Sequence, residues 1–269
     1  MMSEETYDFE VGEEGQKGLD LLGVLFNPTT KSFIKQYGLQ EGMKVLDVGC
    51  GTGDMSRWFA RQVGPSGRVL AIDNNENQIH AAKLKTSDED IIEYKCLSAY
   101  DILQLKETFD LVCCRFVLHH LHSPRQTIKL FFEVLNSGGI YIGEEGLINA
   151  AFAFPATFAW EGYMPEMKLP SEEKDGLGRD GDFGMKLFYY TKQAGFTILS
   201  CQLVHPLLWK KEQKEPLLIG LQEFKKTALA QGMTEEEWQK KYQETQRIAL
   251  DDNQILGFYE SCQIAAKKT

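Results

Sequence analysis

The strongest constraint on the fold is a ten-residue run, VLDVGCGTGD, at residues 45–54. A β-prone apolar stretch, Met43–Val48, leads straight into glycines at 49, 51 and 53, and Met55, Trp58, Phe59 and Val63 then recur at helical spacing. Glycine at alternate positions lets the backbone turn tightly and pass a ligand with no Cβ in the way. The helix that follows turns free N–H groups and the positive end of its dipole toward the same point. A second strand pattern, Arg68–Ile72, ends at Asp73, 20 residues beyond Gly53. In a parallel sheet that carboxylate falls beside the glycine loop, where it can accept hydrogen bonds from both hydroxyls of a ribose.

Nicotinamide-binding folds use the same two devices with the spacing G-x-G-x-x-G. Here the spacing is G-x-G-x-G, the third glycine of the dinucleotide pattern would fall on Asp54, and Asp47 lies inside the preceding strand. Carboxylates disfavour a pyrophosphate, so the ligand reads as a nucleoside without phosphates. A nicotinamide-dependent oxidoreductase is the less favoured alternative. A protein of the same fold that binds its nucleoside cofactor without turnover is another.

Strand and helix patterns alternate through the middle of the chain. Asn77–Leu84 reads as helix, Ile91–Cys96 and Phe109–Phe116 as strands, Ser123-Pro124 as the start of a helix ending near Ser137-Gly138-Gly139, and Ile140–Gly143 as the next strand. After about Gly146 the rhythm changes. Residues 150–166 are aromatic with two prolines, 171–184 form a glycine-rich loop, Met185–Ala194 is a helix and Phe196–Leu203 a strand. Residues 210–250 are polar and helical, with Thr234 as an N-cap before acidic first-turn residues, and Ile255–Ala266 is a final strand. The pattern predicts an α/β fold, a doubly wound, seven-stranded, mostly parallel sheet. We expect one domain over residues 1–269: an N-terminal helical or lid segment at 1–40, a cofactor-binding core at 41–146, and helical cap insertions at 147–182 and 210–252.

Composition excludes several partners. The net charge is −10 and no basic stripe is present, so no nucleic acid is expected. No run of about 18 apolar residues occurs, so no membrane span is expected. The acidic start, MMSEETYDFEVGEEG, lacks the basic and apolar blocks of a secretory signal, and a cytoplasmic location follows. None of the six cysteines forms a C-x-x-C pair, which points to reduced, structural thiols and no metal.

With these pieces in place, residues 41–146 resemble the core of the class I (Rossmann-like) S-adenosylmethionine-dependent methyltransferases of the small-molecule, ubiquinone-biosynthesis-like type. The matching runs are VLDVGCGTGD (45–54), VLAIDNNENQI (69–79), FDLVCCRFVLHHL (109–121) and VLNSGGIYIGEE (134–145), in the family's order and spacing. The resemblance implies S-adenosyl-L-methionine as cofactor and a small-molecule acceptor, methylated by in-line displacement in a capped pocket. It implies that Asp47, Gly49, Cys50, Gly51 and Gly53 contact the amino-acid end of the cofactor, and that Asp73, with Asn74, holds the ribose. Ser98-Ala99 stands where the family has Asp-Ala to read the adenine; the serine is a departure, and Asp101 is an alternative reader. Arg115-Phe116 would lie beside the methionine portion.

The remaining candidates concern the acceptor. His119, His120 and His122 cluster after the fourth strand, at a spacing that matches no helix-borne zinc pair. A histidine titrates in the right range for a general base, so His120 is the first candidate for catalysis and Glu145 the second. The expected pocket residues are Tyr7, in the acidic N-terminal segment, with Phe154, Phe158 and Trp160; the aromatic segment also suits a hydrophobic core. Glycines at 176, 178, 181 and 184 make the following loop a candidate hinge.

Overall fold

The structure, a computed structural model, describes residues 13–87, 91–147, 150–154, 182–215, 218, 225–230 and 232–269. Its strands are β1 (Lys44–Val48), β2 (Arg68–Asp73), β3 (Ile92–Cys96), β4 (Phe109–Arg115), β5 (Leu135–Leu147), β6 (Phe152–Phe154), β7 (Thr197–Val204), β8 (Leu207–Leu208), β9 (Ile255–Gly257) and β10 (Glu260–Lys267). The helices are α1 (Glu13–Gln36), α2 (Asp54–Val63), α3 (Glu76–Leu84), α4 (Pro124–Val134), α5 (Gly184–Gln193), α6 (Lys211–Lys214), α7 (Lys225–Ala230) and α8 (Glu235–Leu250). Short 3-10 turns cover Ala99–Leu105 and Leu118–His120. These residues group into two compact units.

The larger unit comprises, among the described residues, 27–87, 91–147, 182–204 and 261–269. Its seven-stranded sheet has the order β3-β2-β1-β4-β5-β10-β7. The pairs β2–β3, β1–β2, β1–β4 and β4–β5 are parallel, and β10 runs antiparallel to β7. The central strands are apolar throughout because helices cover both faces. Val45, Leu46, Val48 and the run Leu111–Cys114 are buried. On one face Met55, Trp58, Phe59 and Val63 of α2 pack with Phe33 and Ile34 of α1. On the other, Ile128, Phe131 and Val134 of α4 pack with Leu187 of α5. Asn75 caps α3, its side chain accepting from the amides of Asn77 and Gln78.

Two expectations about boundaries change. Helix α4 stops at Val134, and β5 begins at once rather than at Ile140. The Ser-Gly-Gly run that reads as a terminator is absorbed into an irregularity of β5, where the β4 register jumps from Phe109↔Leu135 to Leu111↔Ile140 and Gly138 adopts φ +82. The expected final strand over Ile255–Ala266 is two strands: β9 pairs with β6 and β8, and β10 enters the large sheet.

The smaller unit comprises, among the described residues, 13–26, 150–154, 205–215, 218, 225–230 and 232–260. It holds the antiparallel sheet β6-β9-β8. Helix α8 opens with the expected cap, a full capping box in which Thr234 and Glu237 bond each other's backbone. The buried Lys214 ammonium donates to the carbonyls of Asp251 and Gln254, closing the turn that follows α8.

Candidate active site

Strands β1 and β2 carry two carboxylates to the same end of the sheet. Asp47 is buried and accepts from the Ser56 hydroxyl of α2 at 2.6 Å. Asp73 closes β2, one oxygen accepting from the Gly51 amide and the other from the Asn75 amide, each at 2.9 Å. The glycine loop between β1 and α2 is left-handed at Gly49, Gly51 and Gly53, with φ of +70, +52 and +77. Space is as demanding as the backbone. A Cβ on Gly49 would stand 2.1 Å from Val117 Cγ2, and one on Gly53 2.4 Å from Tyr94 Oη.

The electrostatics of this end are unusual. Burial pushes the Asp47 carboxyl up to about 6, against the Ser56 hydrogen bond and the Arg115 charge, with Asp73 and Asp54 adding to the rise. Burial also raises Asp73, against its two backbone hydrogen bonds. The half-buried Cys50 thiol is pushed well above its ordinary range by burial and by both carboxylates, so it stays neutral. Asp54 opens α2 and is exposed, bonded by the Asn27 amide at 2.5 Å and near Lys31. A site so furnished resists an added phosphate and favours ligands that bring cations and hydroxyl donors.

The other candidate residues fall around the same strand ends. The Leu97 amide donates to the Asp73 carbonyl, which sets Ser98-Ala99 beside the end of β2. The Ser98 hydroxyl accepts from the Tyr100 amide and Ala99 is buried; Asn74 and Asp101 are exposed. Arg115 ends β4 opposite Glu144 of β5 and donates to it through Nε at 2.7 Å. Glu144 is fully buried and also accepts from Thr30, Ser261 and Gln263. Arg115 Nη1 reaches Asn27 of α1 at 2.8 Å.

Glu145, the next residue of β5, serves the loop after β4. It is fully buried and accepts from the amides of Val117 (3.0 Å) and Leu118 (2.7 Å) and meets His119 Nδ1 at 2.7 Å. Phe116 in that loop is left-handed, φ +54, a strained conformation for an aromatic residue. The rings of His119 and His120 lie 3.8 Å apart. Burial, and then the neighbouring His119, push His120 well below the ordinary histidine range.

Asp47, the glycine loop, Asp73, Ser98, Arg115, Glu145 and the histidines therefore belong to one unit and one end of one sheet. Phe154 lies in β6 of the smaller unit and is 70% exposed. Tyr7, Phe158 and Trp160 lie outside the described residues, as does most of the expected hinge loop. Sequence reasoning missed Asn27, Thr30, Ser261 and Gln263, polar residues with no local motif, and Val117, whose contact with Gly49 ties the two loops together.

Residues 46–143 match the family described as methyltransferase domain. This stretch, about a third of the chain, is similar to methyltransferase domains. This domain is 33% identical over 109 residues to the ubiquinone/menaquinone biosynthesis C-methyltransferase of Hydrogenovibrio crunogenus, covering 39% of this chain and 43% of that protein. The chain thus spans less than half the length of the curated relatives it matches. In three dimensions it resembles a SAM dependent methyltransferase from Aquifex aeolicus, with TM-score 0.53, 15% identity, and 96% of this chain and 100% of that one covered. It also resembles the [4+2]-cyclase SpnF, with TM-score 0.55, 18% identity, and 90% and 80% covered. At these identities the likeness establishes the fold alone.

Proposed function

We propose that this protein transfers the methyl group of S-adenosylmethionine to a small, hydroxylated aromatic acceptor of the quinol type. The observation that carries the reading is the pair of proton-attracting carboxylates, buried Asp47 and half-buried Asp73, on either side of a left-handed glycine loop. Such a pair suits a ligand with an ammonium group at one end and a ribose diol further along, and it disfavours the pyrophosphate of a nicotinamide cofactor. When bound, S-adenosylmethionine supplies an electrophilic methyl group on a positive sulfur and departs as a neutral thioether.

In this reading Asp47, Cys50 and the loop glycines hold the amino-acid end, Asp73 and Asn74 the ribose, Ser98-Ala99 the adenine, and Arg115 the methionine side. The Ser98 hydroxyl lacks the charge of the family's aspartate, and its bond to Tyr100 commits one lone pair to the local turn. Alignment of acceptor and methyl group can by itself supply several orders of magnitude in rate. The quinol class is taken from the relative that the domain resembles, a ubiquinone/menaquinone C-methyltransferase.

The rest of the chain then has the acceptor to serve. Within a single domain over 1–269, residues 1–40 act as the lid segment, and 147–182 and 210–252 as the cap that selects the acceptor, with Tyr7, Phe154, Phe158 and Trp160 as its aromatic residues. The six cysteines, all without disulfide partners, and the net charge of −10 support a cytoplasmic enzyme that does not bind nucleic acid. Among the described residues no helix is long and apolar enough to cross a membrane.

Calorimetry with S-adenosylhomocysteine tests the cofactor half, and incubation with S-adenosylmethionine and reduced naphthoquinone, read by mass spectrometry, tests the acceptor half. Tight NAD binding with no response to S-adenosylhomocysteine would refute the reading outright. Binding without methylation of any hydroxylated aromatic would leave a cofactor-binding protein instead of an enzyme.

A further inference from the structure

We infer that His119, oriented by Glu145, is the base that takes the acceptor's hydroxyl proton. The inference rests on the methyl-transfer reading above and names the residue that activates the acceptor. Glu145 is fully buried and its carboxylate meets His119 Nδ1 at 2.7 Å, while the same carboxylate accepts two backbone amides, so its position is held from three sides. A carboxylate at that distance takes an N–H from Nδ1, and a neutral imidazole then carries its lone pair on Nε2. This is the geometry by which a buried acid fixes the tautomer of a catalytic histidine and stabilises the imidazolium that forms.

The loop that carries His119 is also the one locked against the cofactor loop. Val117 fills the space that a side chain at residue 49 would occupy, so the histidine turn and the glycine loop share a contact surface. Neither of the two alternatives suits the task as well. Glu145 already accepts from three N–H groups, and a proton from substrate would have to displace one of them. His120 is disfavoured as a proton acceptor by burial and by His119 itself, whose ring it abuts.

The step balances without a further reagent. The acceptor's O–H bond breaks and its proton goes to His119 Nε2. The freed electron pair, on the oxygen or delocalised to the adjacent ring carbon, forms the bond to the methyl carbon, and the methyl–sulfur pair stays on sulfur. The imidazolium, held by Glu145, returns its proton to solvent.

The variant that separates orientation from structure is Glu145→Gln. Its amide oxygen still accepts from Val117 and Leu118, but its NH2 group faces Nδ1, which must then accept, and the ring proton moves to Nε2. Two readouts decide. Nitrogen-15 spectra of histidine-labelled protein should show His119 protonated on Nδ1 in the parent and on Nε2 in Glu145→Gln. Turnover of naphthohydroquinone should fall by roughly 10²- to 10⁴-fold in Glu145→Gln and His119→Gln, the usual contribution of a positioned base. Calorimetric affinity for S-adenosylhomocysteine should stay within about two-fold, since the amide oxygen in Glu145→Gln still holds Val117 against Gly49 and His119 bonds none of the residues assigned to the cofactor. A parent His119 protonated on Nε2 overturns the inference. So does a parent that methylates the probe while Glu145→Gln keeps pace. A parent that binds S-adenosylhomocysteine yet methylates no hydroxylated aromatic overturns the methyl-transfer reading, and the inference with it.

Discussion

Replacing Asp47 by Asn should make the ligand-free protein more stable and a worse binder, and the gain should depend on pH in a defined way. In the folded state burial holds the Asp47 carboxyl at about 6, against 3.8 for an unburied aspartate. Between those values the folded chain carries more proton than the unfolded one at this position, so stability falls as pH rises through the window. Two pKa units and a little more, at 1.36 kcal/mol per unit, cost the parent about 3 kcal/mol once the carboxylate is fully ionised, above about pH 7. Asn carries no charge to bury, and its amide oxygen can keep the bond from the Ser56 hydroxyl. The attraction to Arg115 that Asn forgoes is already counted in the net rise. Urea unfolding of parent and variant from pH 4 to pH 8 should therefore give curves that nearly coincide at the acid end and separate to about 3 kcal/mol at the other, with the variant the more stable. S-adenosylhomocysteine should reverse the order at neutral pH, because only the parent presents a carboxylate to the ligand's ammonium group. A separation that does not change with pH, or a parent more stable at pH 8 without ligand, would refute the reasoning.

Three further outcomes follow from the same geometry. Asp73→Ala should weaken S-adenosylhomocysteine binding by about 1.5–3 kcal/mol in calorimetry, the scale of hydrogen bonds made by a charged group; unchanged affinity would put the ribose elsewhere. Gly53→Ala forces a side chain onto φ +77 and into Tyr94 Oη, so thermal unfolding should show a loss of about 1–3 kcal/mol, where an exposed glycine would show little. Glu144→Gln breaks a buried pair with Arg115 and should cost about 3–5 kcal/mol in chemical denaturation; a near-neutral result would mean that the network relaxes around a neutral amide.

The parts of this chain that could be read in advance are those whose cause is local. The turn at Gly49–Gly53 needs three left-handed residues in five, and glycine announces that need in the sequence. Asn75 and Thr234 cap their helices through neighbours two or three residues away, again within reach of pattern reading. What escaped was non-local. Gly138-Gly139 looks like a helix end followed by a loop, yet pairing with β4 draws it into β5, because tertiary strand pairing outweighs the local preference of a few residues. Gln263 and Thr30 meet 233 positions apart, and nothing near either residue marks it as a partner of Glu144. The histidine turn was visible as a cluster, but which ring the acid addresses depends on how the β4 loop folds against β5, and only the structure assigns His119 to Glu145.

The two consecutive acids of β5 explain how one strand end serves both halves of the site. Successive side chains in a strand point to opposite faces, so Glu144 and Glu145 are sent apart by the pleat alone. Glu144 gathers Thr30 of α1, Arg115 of β4, and Ser261 and Gln263 of β10. Glu145 gathers the turn that carries His119. A buried carboxylate is tolerated only when its lone pairs are met, and here each acid is met by groups from other segments of the chain. The cost of leaving either charge unpaired thus becomes a force that holds those segments in place. For Glu144 the segment held is Arg115, whose guanidinium then bridges to Asn27, and through Asn27 to Asp54 at the start of α2. For Glu145 it is the loop whose Val117 closes over Gly49. For the proposed methyl transfer, alignment matters more than a strong catalyst, and this strand end anchors the Arg115 network and the His119 turn one residue apart.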